Sequence, residues 1–204
     1  MTLPSTSSPF LPAPAQTETQ PRILALVGMP GAGKTLFAHH LQARGFVQYR
    51  FGAITIAEVE RQGLPVTPEN ERQVREQIRA REGMDAYARR LLPKIHDALA
   101  RRPSVVLDGL YSFSEYKTLR AEFGDLLVLV AIACERRLRY ARLAARAERP
   151  LTREEAERRD VQEIEALEKG GPIAIADYTI LNNGTPEAAL AELDHLLERL
   201  GFRP

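Results

Sequence analysis

The 204-residue sequence contains one cysteine, no tryptophan and four histidines. A lone thiol, Cys134, excludes a disulfide framework and a cysteine-based zinc site. Without disulfides the expected compartment is the reducing cytoplasm. No excess of one charge is present: Lys and Arg number 28, Asp and Glu 27. That balance argues against a dedicated nucleic-acid binder, which carries a basic excess, and against an acidic tail protein. No run approaches the roughly 18 apolar residues of a membrane span, so no membrane partner is expected. Lys and Arg are absent before Arg22, and Pro4, Pro9, Pro12 and Pro14 interrupt the opening segment. A secretory signal needs a basic start and an unbroken apolar run, so residues 1–21 read as a disordered or extended tail. The remainder, 22–204, is long enough for one domain with its own core.

From Arg22 onward apolar runs alternate with helical stretches. The strand candidates are 22–28, 46–51, 104–108, 126–133 and 177–181. Helices are expected up to Ala43, then over 53–62, 68–81, 84–100 and 114–123, and at 186–200. Thr67 before Pro68 is a cap residue ahead of a first-turn proline. A long Arg-rich helical region spans 135–167 with a break near Arg149-Pro150. The segment at 126–133 is apolar throughout, as in a strand buried on both faces. Strands separated by helices imply a parallel sheet covered on both sides. The expected fold is α/β: a five-stranded parallel sheet in a three-layer sandwich.

The sharpest motif is Gly28-Met29-Pro30-Gly31-Ala32-Gly33-Lys34-Thr35, followed by Leu36. It matches G-x-x-x-x-G-K-[ST] and lies between a strand and a helix, the context that motif requires. Polyphosphate must be wrapped by backbone N–H groups, and the glycines let the chain bend without side chains in the way. The helix that follows points its positive end at the phosphates. Lys34 is expected to reach the β- and γ-phosphates, and Thr35 to hold Mg²⁺. Val105-Val106-Leu107-Asp108-Gly109 is the natural counterpart: an apolar strand ending in a carboxylate. Beside a phosphate loop, Asp108 would lie near Mg²⁺ or the reacting hydroxyl. Taken alone, it is a strand followed by a turn.

Between Arg136 and Arg159 nine arginines face four glutamates. Three readings apply: a solvated face laced with i,i+4 pairs such as Glu154–Arg158, a nucleic-acid patch, or a lid that closes over phosphates. The only accompanying aromatic is Tyr140, which weakens the nucleic-acid reading. Arg142 and Arg146, four apart, would share a helix face. Pro150 and Thr152 would reset the chain into a second helix carrying Arg158 and Arg159. The lid is placed at about 135–168, and a helical insert on the acceptor side at about 53–101.

These segments resemble the nucleoside-monophosphate-kinase branch of P-loop proteins. The similarity is closest to dephospho-coenzyme A kinase and to an adenylate-kinase-like archaeal family. It runs from about Arg22 to Leu200 and rests on GMPGAGKT at 28–35, REGMDAYARR at 81–90 and VVLDGLYSFSEY at 105–116. RLRYARLAAR at 137–146, REEAERRDVQE at 153–163 and IAIADYTILNNGT at 173–185 complete it. The resemblance implies a P-loop NTPase fold with a helical lid. It implies that Arg142 packs on adenine, that Arg146 contacts phosphate, and that Arg158 or Arg159 completes the clamp. Asn183 and Gly184, within 182–185, would border the adenine edge. Departures are equally clear. Where the family carries an acidic residue and an arginine, this chain has Gly52-Ala53-Ile54-Thr55-Ile56. After Asp108-Gly109 it has Leu110-Tyr111-Ser112 in place of an arginine. Arg75 and Arg79 could replace the missing cations, Tyr111 could stack on an acceptor ring, and Glu58 or Glu60 could act as a base. Each is otherwise a surface residue.

Together these readings give an ATP- and Mg²⁺-dependent small-molecule kinase acting on a dephospho-coenzyme A-like or nucleoside monophosphate acceptor. Lys34, Asp108, Arg146 and Arg159 are its candidate catalytic residues. The alternative is an ATP-hydrolysing switch acting on a protein or RNA partner. A polynucleotide kinase is a third reading. The chain is expected to be a monomer or small homo-oligomer. His39, His40, His96 and His195 show no metal-ligand spacing, and Cys134 reads as a small core residue.

Overall fold

The computed structural model describes residues 22–204, and the expected tail at 1–21 lies outside the described residues. Five strands form one parallel sheet: β1 (Arg22–Val27), β2 (Val47–Arg50), β3 (Ser104–Asp108), β4 (Leu127–Ala133) and β5 (Tyr178–Leu181). Their spatial order is β2-β3-β1-β4-β5. The register sets Leu26 beside Asp108 and Arg50 beside Asp108. The ends of β1, β2 and β3 therefore lie side by side along the sheet's C-terminal edge, the usual ligand position in such sheets.

Alternation along β1 builds two cores. Ile23, Ala25 and Val27 face one of them, with Phe51, Val74, Ile78, Tyr87, Leu91 and Leu107. Leu24 and Leu26 face the other, with Phe37, Leu41, Leu193 and Leu197. The first core lies under α2 (Phe51–Arg61), α3 (Pro68–Glu82), α4 (Ala86–Leu99) and α5 (Phe113–Phe123). The second lies under α1 (Lys34–Ala43) and α9 (Pro186–Leu200). The result is the α/β three-layer sandwich of P-loop proteins. The segment expected to be a lid folds as α6 (Arg136–Ala144) and α7 (Arg153–Glu165), and a short α8 (Gly170–Ala174) returns the chain to β5.

Three local expectations change. The second strand gives way to α2 with no loop, so that helix begins at Phe51 rather than Ala53. The Arg-rich region breaks at Arg149-Pro150 as expected, but the break is wider than read and begins earlier. The first helix stops at Ala144, and eight residues separate α6 from α7. Leu151 N donates to Leu143 O (3.2 Å), closing the connection back over the end of α6. Arg142 and Arg146 therefore do not share a helix face, since Arg146 lies in the connection. The turn at Thr67-Pro68 forms as read: the Thr67 side chain accepts from Asn70 N at 3.3 Å.

Candidate active site

The phosphate loop is assembled by close backbone approaches. A Cβ on Gly31 would lie 2.6 Å from Arg139 O, and one on Gly33 would meet the Asn182 amide at 2.2 Å. Both glycines have positive φ, 77° and 103°, a region that side chains disfavour. The loop is thereby packed against α6 on one side and the segment after β5 on the other. Asn182 Nδ2 donates to Ala32 O at 2.8 Å. Arg139 donates to Pro30 O at 2.9 Å and forms a two-pronged pair with Asp160 at 3.0 and 2.6 Å. Tyr140 Oη also donates to Asp160 (3.1 Å). Arg139 and Asp160 are buried, so this pair is well shielded from solvent. It couples α6, α7 and the loop into one unit.

Lys34 folds back over the loop and donates to Gly28 O (2.7 Å) and Met29 O (3.3 Å). Burial lowers its pKa to about 7, and Lys169 repels it further, while Glu163 and Asp108 oppose both. Thr35 is exposed in the first turn of α1. Asp108 ends β3 beside Arg50, whose Nε lies 3.4 Å from Oδ2. Burial raises the Asp108 pKa, against the pull of Arg50 and Lys34. Arg159 donates to Glu163 at 3.0 Å, and Glu163 also pairs with the buried Lys169. Burial and then the neighbouring Arg159 lower the pKa of Arg146. Lys34 is within electrostatic reach of Asp108, Glu163, Lys169 and Arg159, and Arg146 neighbours Arg159 alone.

The other expected positions distribute as follows. Arg142 donates to Asn182 O (2.9 Å) and toward the Cys134 thiol (3.3 Å), at the mouth of the 182–185 loop. Asn183 Oδ1 accepts from Glu135 N at 2.9 Å, and Gly184 is exposed. Arg158 is exposed. Arg79 is engaged by Glu115 (3.7 Å) and lies over the Tyr87 ring at 5.1 Å. Arg75 pairs with Glu71 at 3.6 Å. Glu58 is held by Arg61, which lowers its pKa to about 2 through those hydrogen bonds. That makes it a poor base. Tyr111 has Lys169 4.7 Å from its ring centroid, so one face is already covered.

Sequence reading missed Arg50, Glu163, Lys169 and the Arg139–Asp160 pair. Arg50 stands two residues before the segment where a cation was expected and missing. Among the described residues no cluster of three or more His, Cys, Asp or Glu could hold a metal. Thr35 and Asp108 offer hard oxygen ligands of the type Mg²⁺ takes alongside water and phosphate, and they fit that ion. No helix among the described residues is long and apolar enough to cross a membrane.

Comparison with known proteins agrees with this architecture. A family model described as "AAA domain" matches residues 24–165. The chain is 34% identical over 181 residues to a UPF0200 protein of Thermococcus gammatolerans, covering 87% of this chain and 95% of that one. It is 35% identical over 181 residues to a UPF0200 protein of Thermococcus kodakarensis, covering 87% and 97%. Among solved structures, TT1252 from Thermus thermophilus superposes with a TM-score of 0.58 at 20% identity, over 89% of this chain and 98% of that one. A gluconokinase from Sinorhizobium meliloti superposes with a TM-score of 0.53 at 18% identity, over 89% and 97%. At these identities the structural matches establish the shared fold.

Proposed function

The chain belongs to the AAA domain family and to the UPF0200 family, and from that membership and the site geometry we propose that it is an ATP-dependent small-molecule kinase. The acceptor is nucleotide-like, either a dephospho-coenzyme A-like hydroxyl or a nucleoside monophosphate. The observation that carries this reading is the loop with Lys34 folded over it, beside the strand that ends in Asp108 and tied through Arg139 and Asp160 to the helix that carries Arg159. A cation on the loop stands by a carboxylate at the sheet edge, and the proposed lid is fastened to that loop.

Phosphoryl transfer asks the protein for positioning and charge stabilisation rather than covalent chemistry. The bond from γ-phosphorus to the β-bridging oxygen breaks, and a new bond forms to the acceptor oxygen. Lys34, Arg146 and Arg159 balance charge on the transferring group. Arg142 packs at the adenine, bordered by Asn183 and Gly184. A hydroxyl acceptor loses its proton to Asp108, whose burial makes it a stronger base. With a phosphate acceptor, Asp108 instead serves as an ion ligand with Thr35. Mg²⁺, when bound there, would neutralise charge on the β- and γ-phosphates. Arg50 and Arg75 supply acceptor-side charge that Ala53 and Ile56 lack. The lid at about 135–168 closes over the donor, and the helices at about 53–101 seat the acceptor.

The test is product detection by mass spectrometry. The protein is incubated with MgATP and a pool of dephospho-coenzyme A, nucleoside monophosphates and nucleosides. A product heavier by one phosphoryl group is expected, reduced about a hundredfold or more in Lys34→Ala, which loses the cation on the phosphates. ADP formed at one rate with every acceptor, and no phosphorylated product, would establish the ATP-hydrolysing switch instead.

A further inference from the structure

Lys169 is a lysine placed where lysines are rarely found. It is only 2% exposed and stands between α7 and α8. The chain reverses sharply to bring it there. Glu168 adopts φ 54°, in the left-handed region. That conformation is held in place because the Glu168 carboxylate accepts from Ser114 N (3.0 Å) and Ser114 Oγ (2.8 Å) at the start of α5. Lys169 N donates to Glu163 O at 3.1 Å. The side chain then turns inward, pairs with the Glu163 carboxylate and lies over the Tyr111 ring at 4.7 Å. Backbone strain over-determined by its surroundings is a mark of a functional position.

The location is specific. The Tyr111 ring also borders Gly109, the residue after Asp108; a Cβ there would be 3.3 Å from it. Lys169 thus stands at the end of β3, beside the reacting edge of the sheet, and it is close enough to Lys34 to repel its charge.

Charge and donor counts point the same way. Glu163 is shared by two cations, Arg159 and Lys169, so the trio carries one uncompensated positive charge. An ammonium has three N–H donors, and Glu163 is its one hydrogen-bond partner among the described residues. A buried ion pair is weak support for stability, since apolar residues of similar volume often serve as well. A donor-rich cation within electrostatic reach of a second lysine has a clear use, however. Resting on the kinase reading above, we infer that Lys169 is a second phosphoryl-binding lysine, which donates to the γ-phosphoryl oxygens and is held in position by Glu163 and Tyr111.

The experiment compares two nucleotides that differ by that phosphoryl group. The full chain is titrated calorimetrically with MgADP and with the magnesium complex of a non-hydrolysable ATP analogue. Lys169→Met is expected to weaken the ATP analogue about tenfold or more, as removal of a charge-assisted contact does. Its MgADP affinity should stay within about twofold. The double variant Lys169→Met/Glu163→Gln leaves no unpaired carboxylate, guards against misfolding and should show the same selective loss. Equal weakening of both nucleotides, or of neither, would assign Lys169 to structure and overturn the inference while the kinase reading stands. Wild-type protein binding neither nucleotide would overturn the kinase reading itself, and this inference with it.

Discussion

Lys34 is a cation whose charge the fold makes expensive. Burial, then Lys169, brings its pKa down from 10.5 to about 7. In the unfolded chain the ordinary value returns. Between about pH 7 and 10.5 the unfolded state therefore holds a proton that the native state lacks. Stability from this residue rises with pH across that window, and its cost is complete below pH 7. Polyphosphate restores the charge by placing anions beside it, so binding takes up a proton above pH 7. MgATP affinity should fall by up to about tenfold per pH unit between pH 7 and 9. Calorimetry in buffers of different ionisation enthalpy should register uptake near pH 8 and little at pH 6. Lys34→Ala should show no such uptake. This residue was readable in the sequence because its motif is local: the glycines, lysine and threonine stand in one run. Arg50, Glu163 and Lys169 were not, because each is an ordinary charge until the sheet register and the Glu168 turn bring it to the site.

At the scale of elements, Glu115 joins β3 to α5. It accepts from Tyr111 N (2.8 Å) and Ser112 N (2.9 Å), while Ser112 Oγ caps the helix by accepting from Glu115 N (2.9 Å). Ser112 Oγ in turn donates to Met84 O (3.2 Å), just before α4. The loop after Asp108 is held from both sides. Burial raises the Glu115 pKa to about 7, despite those N–H donors and Arg79. A value raised on folding contributes stability that is complete below about pH 4.5 and is lost as pH rises through 7. Gln serves the same cap without the charge. Glu115→Gln should therefore exceed wild type in urea unfolding at pH 8, with the difference closing near pH 5. Glu115→Ala should cost about 1–3 kcal/mol, because it leaves the Tyr111 and Ser112 N–H groups without their acceptor, which Gln retains. The S-x-x-E signal of this cap was visible at 112–115, although the helix was expected to begin only at Ser114. The end of α6 carried no such signal. Ala144 and Ala145 are strong helix formers, and the tertiary closure of Leu151 onto Leu143 ends the helix. The short α8 was hidden by Gly170-Gly171-Pro172, which reads as a turn.

Across the whole molecule, the site lies where three mechanical parts meet. In the proposed site the sheet edge contributes Asp108, the loop contributes Lys34, and the proposed lid contributes Arg159. Arg139 and Asp160 tie the lid to the loop on one side. On the other, Arg149 in the lid connection reaches Glu71 of α3 at 3.6 Å. This second tie is solvent-exposed and weak, worth under about 1 kcal/mol, so it can open without endangering the fold. The parallel sheet covered on both faces was legible from the alternation of apolar runs and helices, because continuous apolar strands admit few alternatives, whereas the strand order was not read. How the proposed lid is tied down was not legible either, since it depends on contacts between residues up to 109 positions apart, as Pro30 and Arg139 are. A ligand that bridges loop and lid must stabilise the whole chain, because it binds only the assembled arrangement. At a hundredfold its dissociation constant that linkage amounts to about 2.7 kcal/mol. For a chain of this size, each kcal/mol raises the unfolding midpoint by about 2–4 °C. Saturating MgATP should therefore raise the midpoint by about 5–10 °C, read by differential scanning calorimetry. Lys34→Ala should abolish the shift while still unfolding cooperatively. The same rise in both proteins would place the ligand elsewhere on the molecule and remove the loop from the site.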